Sequence, residues 1–202
     1  MYKRDCNAIA QHALASPDGL VDVVEFTLCS IQAGLSTIKQ QRRDIKTNGL
    51  QSKFLWGKKA DGLDCITRNK VWFWSYLSHK AEVGDNEAIA DAILELMKVP
   101  NLGMVKAAFV CQMLGMNVAC LDSHNIKRLG LSPSAVKVDA KLKPEKKRAK
   151  VLAYIELCQK EGTEYWWNSW CHHVAGNSAN RRLNTGDLVS AYHVEAILNR
   201  DS

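Results

Sequence analysis

Asp122 follows the loop Gly115–Leu121 and precedes Ser123-His124-Asn125-Ile126-Lys127-Arg128, so its carboxylate stands where a short helix through Leu129 begins. The helix dipole keeps a carboxylate ionised there near neutral pH, and an ionised carboxylate in a sheltered place can steady positive charge or orient a nucleophile. As a plain N-cap it would only satisfy a backbone N–H. A second feature is Val99-Pro100-Asn101-Leu102-Gly103, set between two apolar helical stretches. Gly103 lets another chain approach the backbone closely and supplies permissive dihedrals, and the helix after it offers unpaired N–H groups to a phosphate. Lys106 lies just inside that helix, where a phosphate contact or a solvated position both suit it. His172-His173 suggests a metal, but adjacent helical residues diverge and no carboxylate stands at i+4.

Helical periodicity dominates, and the pattern predicts an all-α fold. Ser16-Pro17-Asp18 starts a helix carrying Leu20, Val23, Val24, Thr27, Leu28 and Ile31 on one face, with Gly34 expected to end it. A polar, basic helix is expected around Ser36–Thr47, broken by Asn48-Gly49. Val71, Trp72, Trp74, Tyr76 and Leu77 predict a mostly buried helix over 69–80, with Trp72 and Trp74 in the core or stacked on an extruded base. Asp85-Asn86 opens the helix before the turn at 99–103, and an apolar helix resumes to Leu114, its Ala107 and Ala108 small enough for close packing. Beyond a lysine-rich stretch at 137–150, two or three helices run to about Asn199, and Tyr165, Trp166, Trp167 and Trp170 recur at core spacing.

The chain has 202 residues, 47% hydrophobic and 24% charged, which excludes wholesale disorder. No run nears eighteen apolar residues and the N-terminus lacks a signal h-region, so neither a membrane span nor export is expected. Seven cysteines occur with no Cys-x-x-Cys pair, which favours reduced thiols in an intracellular protein over a disulfide framework or a zinc or iron–sulfur site. The net charge of +6 is concentrated: segment 36–80 carries +7 and 137–150 carries +5, against −6 elsewhere. Solvated helix faces would account for this, and so would a surface that collects phosphates.

The turn and the segment Asp122-Ser123-His124-Asn125-Ile126-Lys127-Arg128 together resemble the helix-hairpin-helix signature of the HhH-GPD DNA glycosylase superfamily, to which endonuclease III belongs. That family's pattern reads Leu-Pro-Gly-Val-Gly, a helix, a loop, then Asp-Thr-His-Val-x-Arg. Upstream, Leu28-Cys29-Ser30-Ile31-Gln32-Ala33 resembles the family's Leu-Ser-x-Gln segment, at close to its usual distance from Pro100. The match covers roughly 20–130, with the hairpin at 99–106. Three departures stand out. Asn101 replaces the first hairpin glycine but tolerates left-handed dihedrals. No proline precedes Asp122. The lysine that strand-cleaving members carry two residues after the second glycine is Val105 here, with Lys106 one later and so about 100° around the helix.

The resemblance implies one unit over 1–202 made of two small helical lobes with a cleft between them. Residues 131–202 and the N-terminal helix would form the second lobe. It implies a monomeric, intracellular base-excision repair enzyme on double-stranded DNA, acting away from membranes. Asp122 would be catalytic, stabilising charge at the sugar's C1′. Gln32 would plug the gap left by the flipped base, where otherwise it is a polar residue at a helix end. Asn101, Leu102, Gly103 and Val105 would grip phosphate through the backbone. Lys106 would be the Schiff-base nucleophile of a bifunctional glycosylase/AP lyase or else a phosphate contact. Val105 at the usual lysine position favours base removal without strong lyase activity. No cofactor is expected beyond a monovalent cation at the hairpin, since the cysteines lack the spacing of an iron–sulfur cluster. His124 reads as structural. The same hairpin would also suit a non-catalytic DNA clamp or an accessory subunit of a nuclease.

Overall fold

Every regular element is a helix in the computed structural model, which describes residues 2–177 and 181–199. The eleven α-helices are α1 (Tyr2–Ala15), α2 (Pro17–Ser30), α3 (Ile38–Asn48), α4 (Lys59–Arg68), α5 (Lys70–Val83), α6 (Asn86–Leu96), α7 (Met104–Met113), α8 (Ser123–Arg128), α9 (Pro144–Gln159), α10 (Thr163–Asn177) and α11 (Gly186–Leu198). The all-α class is thus what the structure displays among the described residues.

Helix α2 is the hub. Ser16 caps it by accepting the Gly19 N–H at 3.0 Å, Pro17 occupies the first turn, and every residue from Gly19 to Cys29 is buried. It packs on α1, α3, α4, α5, α7 and α11. It stops at Ser30 rather than at Gly34, because Ile31 turns to an extended backbone (ψ 115°) and Gln32 adopts φ 53°. Gly34 instead precedes the 3-10 turn Leu35–Thr37 that leads into α3.

One apolar cluster, from Cys6 in α1 to Ile197 in α11, runs through the whole molecule. The terminal helices meet, α1 against α10 and α11, while α9 packs chiefly on α6. Cys29 and Cys111 are core residues, as their apolar surroundings in the sequence suggested.

Two expectations are corrected. Helix α5 buries only Phe73 and Leu77; Val71 (63% exposed) and Trp72 (50%) face outward, with Trp72 stacked on Tyr76 at 5.2 Å. Five apolar residues too closely spaced for one stripe cannot all face the core. Trp74 stays half-buried and donates its indole N–H to Leu14 O at 3.0 Å. In α10, Trp166 and Trp167 are core residues, but Tyr165 is exposed and Trp170 is half-buried.

The basic segments are less open than their net charge implies. Arg42 is buried, donating to Glu25 and Asp22 at 2.8 Å each and to the terminal carbonyls of α11, so it ties α3 to α2 and α11. Lys39, Arg68, Lys70 and Lys80 pair with Glu195, Asp64, Asp18 and Asp91. Arg148 bridges Glu87 and Asp91.

Candidate functional site

The turn between α6 and α7 is closed by Val99 N–H on Leu96 O (3.0 Å) and Leu102 N–H on Val99 O (3.1 Å), with the Val99 and Leu102 side chains buried. Asn101 sits at φ 69°, the left-handed region that its short polar side chain tolerates. Helix α4 braces the turn from behind: a Cβ on Gly62 would lie 2.4 Å from Pro100 O, so only glycine admits this approach.

Gly103 is the N-cap of α7 and brings no capping side chain. Its backbone is extended (φ −77°, ψ 173°), so the conformational freedom of glycine goes unused, contrary to expectation. Nothing in the molecule lies within 4 Å of where its Cβ would be. The first N–H groups of α7 follow it in the chain. Leu102 is buried and Val105 half-buried against the core, so both can meet a ligand through the main chain.

Lys106, one residue on, lies over the Phe109 ring with Nζ 5.4 Å from its centroid, and reaches Ser30 Oγ at 3.4 Å. The 100° step from Val105 thus carries the amine to Ser30, the last residue of α2. Buried Lys59 braces the same turn, donating from Nζ to Ile31 O at 2.9 Å. Burial, together with the repulsion of Lys106, lowers the Lys59 pKa, opposed by the Cys29 thiol. Gln32 is exposed at this turn, held at positive φ.

Asp122 caps α8, its Oδ1 accepting the Asn125 N–H at 3.0 Å. Oδ2 accepts the indole N–H of Trp170 at 3.1 Å. The loop that delivers Asp122 lacks proline but is pinned by hydrogen bonds. Gln112 Oε1 accepts from Cys120 N–H (3.1 Å), Asn125 Nδ2 donates to Cys120 O (3.2 Å), and Tyr154 OH accepts from Leu121 N–H (2.9 Å) while donating to Ala119 O (2.7 Å).

Asp122 and Lys106 both act electrostatically on one thiol. Burial pushes the Cys120 pKa up to about 11, Lys106 pulls it down and Asp122 pushes it up. They also share an aromatic floor, since Phe109 beneath Lys106 lies 6.2 Å, centroid to centroid, from Trp170 on Asp122. Both are half-buried. A carboxylate in such a place can stabilise a carbocation, and an amine there can attack an electrophilic carbon.

His124 stacks on His173 with centroids 3.3 Å apart, and burial, then His173, lowers its pKa. His172 lies against Gly186. Among the described residues no three His, Cys, Asp or Glu side chains form a group that could hold a metal, and no helix is long and apolar enough to cross a membrane.

Sequence reasoning missed Lys59, Gln112, Tyr154 and Trp170 as parts of this region. Trp170 shares a helical face with Trp166 and Trp167 and so read as core; the others carry no signal that spacing exposes. No known family model, curated protein or solved structure matches the chain.

Proposed function

We propose that the protein is a helix-hairpin-helix DNA base-excision glycosylase that flips a damaged or modified base from duplex DNA and hydrolyses its N-glycosidic bond. The observation that carries this reading is that half-buried Asp122 and Lys106 share one aromatic floor, Asp122 bonded to Trp170 and Lys106 over Phe109, with Lys106 on the helix that begins at the open N-cap Gly103. The N–H groups after Gly103 grip a backbone phosphate, with a monovalent cation assisting at the turn. Gln32 enters the gap in the stack. Asp122 stabilises positive charge at C1′ as the C1′–N bond breaks, its electron pair leaving with the base, and orients the water that adds to C1′; the proton this water loses ends on the departed base.

The position of Lys106 supports a second reading, in which its amine replaces water at C1′ and forms a Schiff base that allows strand cleavage. A clamp without catalysis would need only the hairpin and leaves Asp122 without a task beyond its cap.

Wild type and Asp122→Asn are compared on duplexes that each carry one lesion. Alkali-labile sites made only by wild type support the glycosylase. Equal binding with no product from either protein overturns it in favour of the clamp. Breaks without alkali, with borohydride trapping lost in Lys106→Ala, establish the lyase reading.

A further inference from the structure

The Asp122 carboxylate has two N–H partners where a helix cap needs one. Asn125 N–H on Oδ1 is the ordinary cap; the Trp170 indole N–H on Oδ2 comes from a helix 48 residues further along the chain. An indole N–H can only donate, and a donor on a carboxylate makes a charge-assisted bond. The indole is packed by two ring contacts. Its ring meets His193 edge-on at 4.8 Å and lies against Phe109 at 6.2 Å. His193 is buried and fixed by its contact with Val189 O at 2.6 Å. With one rigid donor on each oxygen, the plane of the carboxylate is set and its remaining lone pairs are fixed in that plane.

We propose that Trp170 is a positioning residue: its indole N–H holds the Asp122 carboxylate in the orientation that serves C1′. This rests on the glycosylase reading and assigns the α10 helix, which the sequence resemblance does not reach, a part in the reaction.

Trp170→Phe keeps the ring packing and removes the N–H. Single-turnover base release is expected to slow by about tenfold to a hundredfold, the range for a hydrogen bond to a charged group. Duplex affinity should stay at the wild-type value. Trp170→His, which restores an N–H donor, should recover part of the rate. A residue that merely packs would gain nothing from the N–H donor of Trp170→His, and either that result or an unchanged rate in Trp170→Phe overturns the proposal.

A readout free of activity separates the two readings. The Trp170 indole 1H–15N resonance, identified by its loss in Trp170→Phe, should shift in Asp122→Asn. If it does not shift, the contact and the proposal both fall, whatever the activity. If it shifts but wild type releases no base from any duplex, the glycosylase reading fails and the positioning role is overturned with it, leaving a structural cap.

Discussion

At the scale of single residues, the structure separates side chains that face the core from those left accessible. Leu102 is buried and Val105 packs against the core, while Lys106 and Asp122 are half-buried on polar and aromatic partners and Gln32 is exposed. Gly103 belongs to neither. Its extended backbone suits any residue, and a methyl group there touches nothing in the molecule. Gly103→Ala should therefore change stability by no more than about 1 kcal/mol, the scale of a cap effect. If a phosphate docks at this point, the same methyl group obstructs it. Duplex affinity should then fall equally for damaged and undamaged DNA, because phosphate contacts carry no sequence information. Thermal denaturation with a binding titration on both duplexes checks this, and unchanged affinity would remove the hairpin from the DNA interface.

Among the elements, α4 was the one the sequence pattern did not mark, yet it sets the position of the turn. It lies directly against Pro100 and sends Lys59 to the end of α2, linking two segments some seventy residues apart. The turn itself was legible, because Pro100, left-handed Asn101 and the apolar helices on either side all state a local backbone preference. The brace was not legible: Gly62 is needed for an approach between distant segments, and nothing local to it says so. Gly62→Ala should destabilise the protein by about 1–3 kcal/mol, the cost of overpacking against backbone, and impair duplex binding by displacing the turn. Denaturant unfolding alongside the binding titration measures both. The same limit applies to Asp122, whose cap was readable from its neighbours, whereas the Gln112 and Tyr154 bonds that hold its loop come from other helices.

Across the whole molecule, charge and pH behaviour depend on packing more than on composition. Segment 36–80 is strongly basic in sequence, but Arg42 and Lys59 are buried and several others face acids, so the charge open to a polyanion is smaller than the count. Buried His193 supplies the clearest pH dependence. Burial lowers its folded pKa to about 4, against an unfolded value of about 6.5. Above pH 6.5 both states are neutral and its contribution is complete. As pH falls below 6.5 the unfolded chain takes up a proton that the folded chain refuses until about pH 4. Stability should thus drop by about 3 kcal/mol across that window, and His124, also lowered, adds in the same sense. Chemical denaturation between pH 7 and pH 4 reads the slope. His193→Phe should flatten it whatever it does to stability at neutral pH, and an unchanged slope would refute the assignment.

Sequence alone determined the all-α class, the starts of α2 and α6, the turn at 99–103 and the cap at Asp122, because each follows from periodicity or from the preferences of a few adjacent residues. It could not determine which face of α5 turns outward, that Trp170 leaves the core to meet a carboxylate, or which basic residues already have acidic partners. Those outcomes are contacts between residues far apart in the chain. They are decided only when the helices pack, since packing fixes which polar groups lose water and which partners they find.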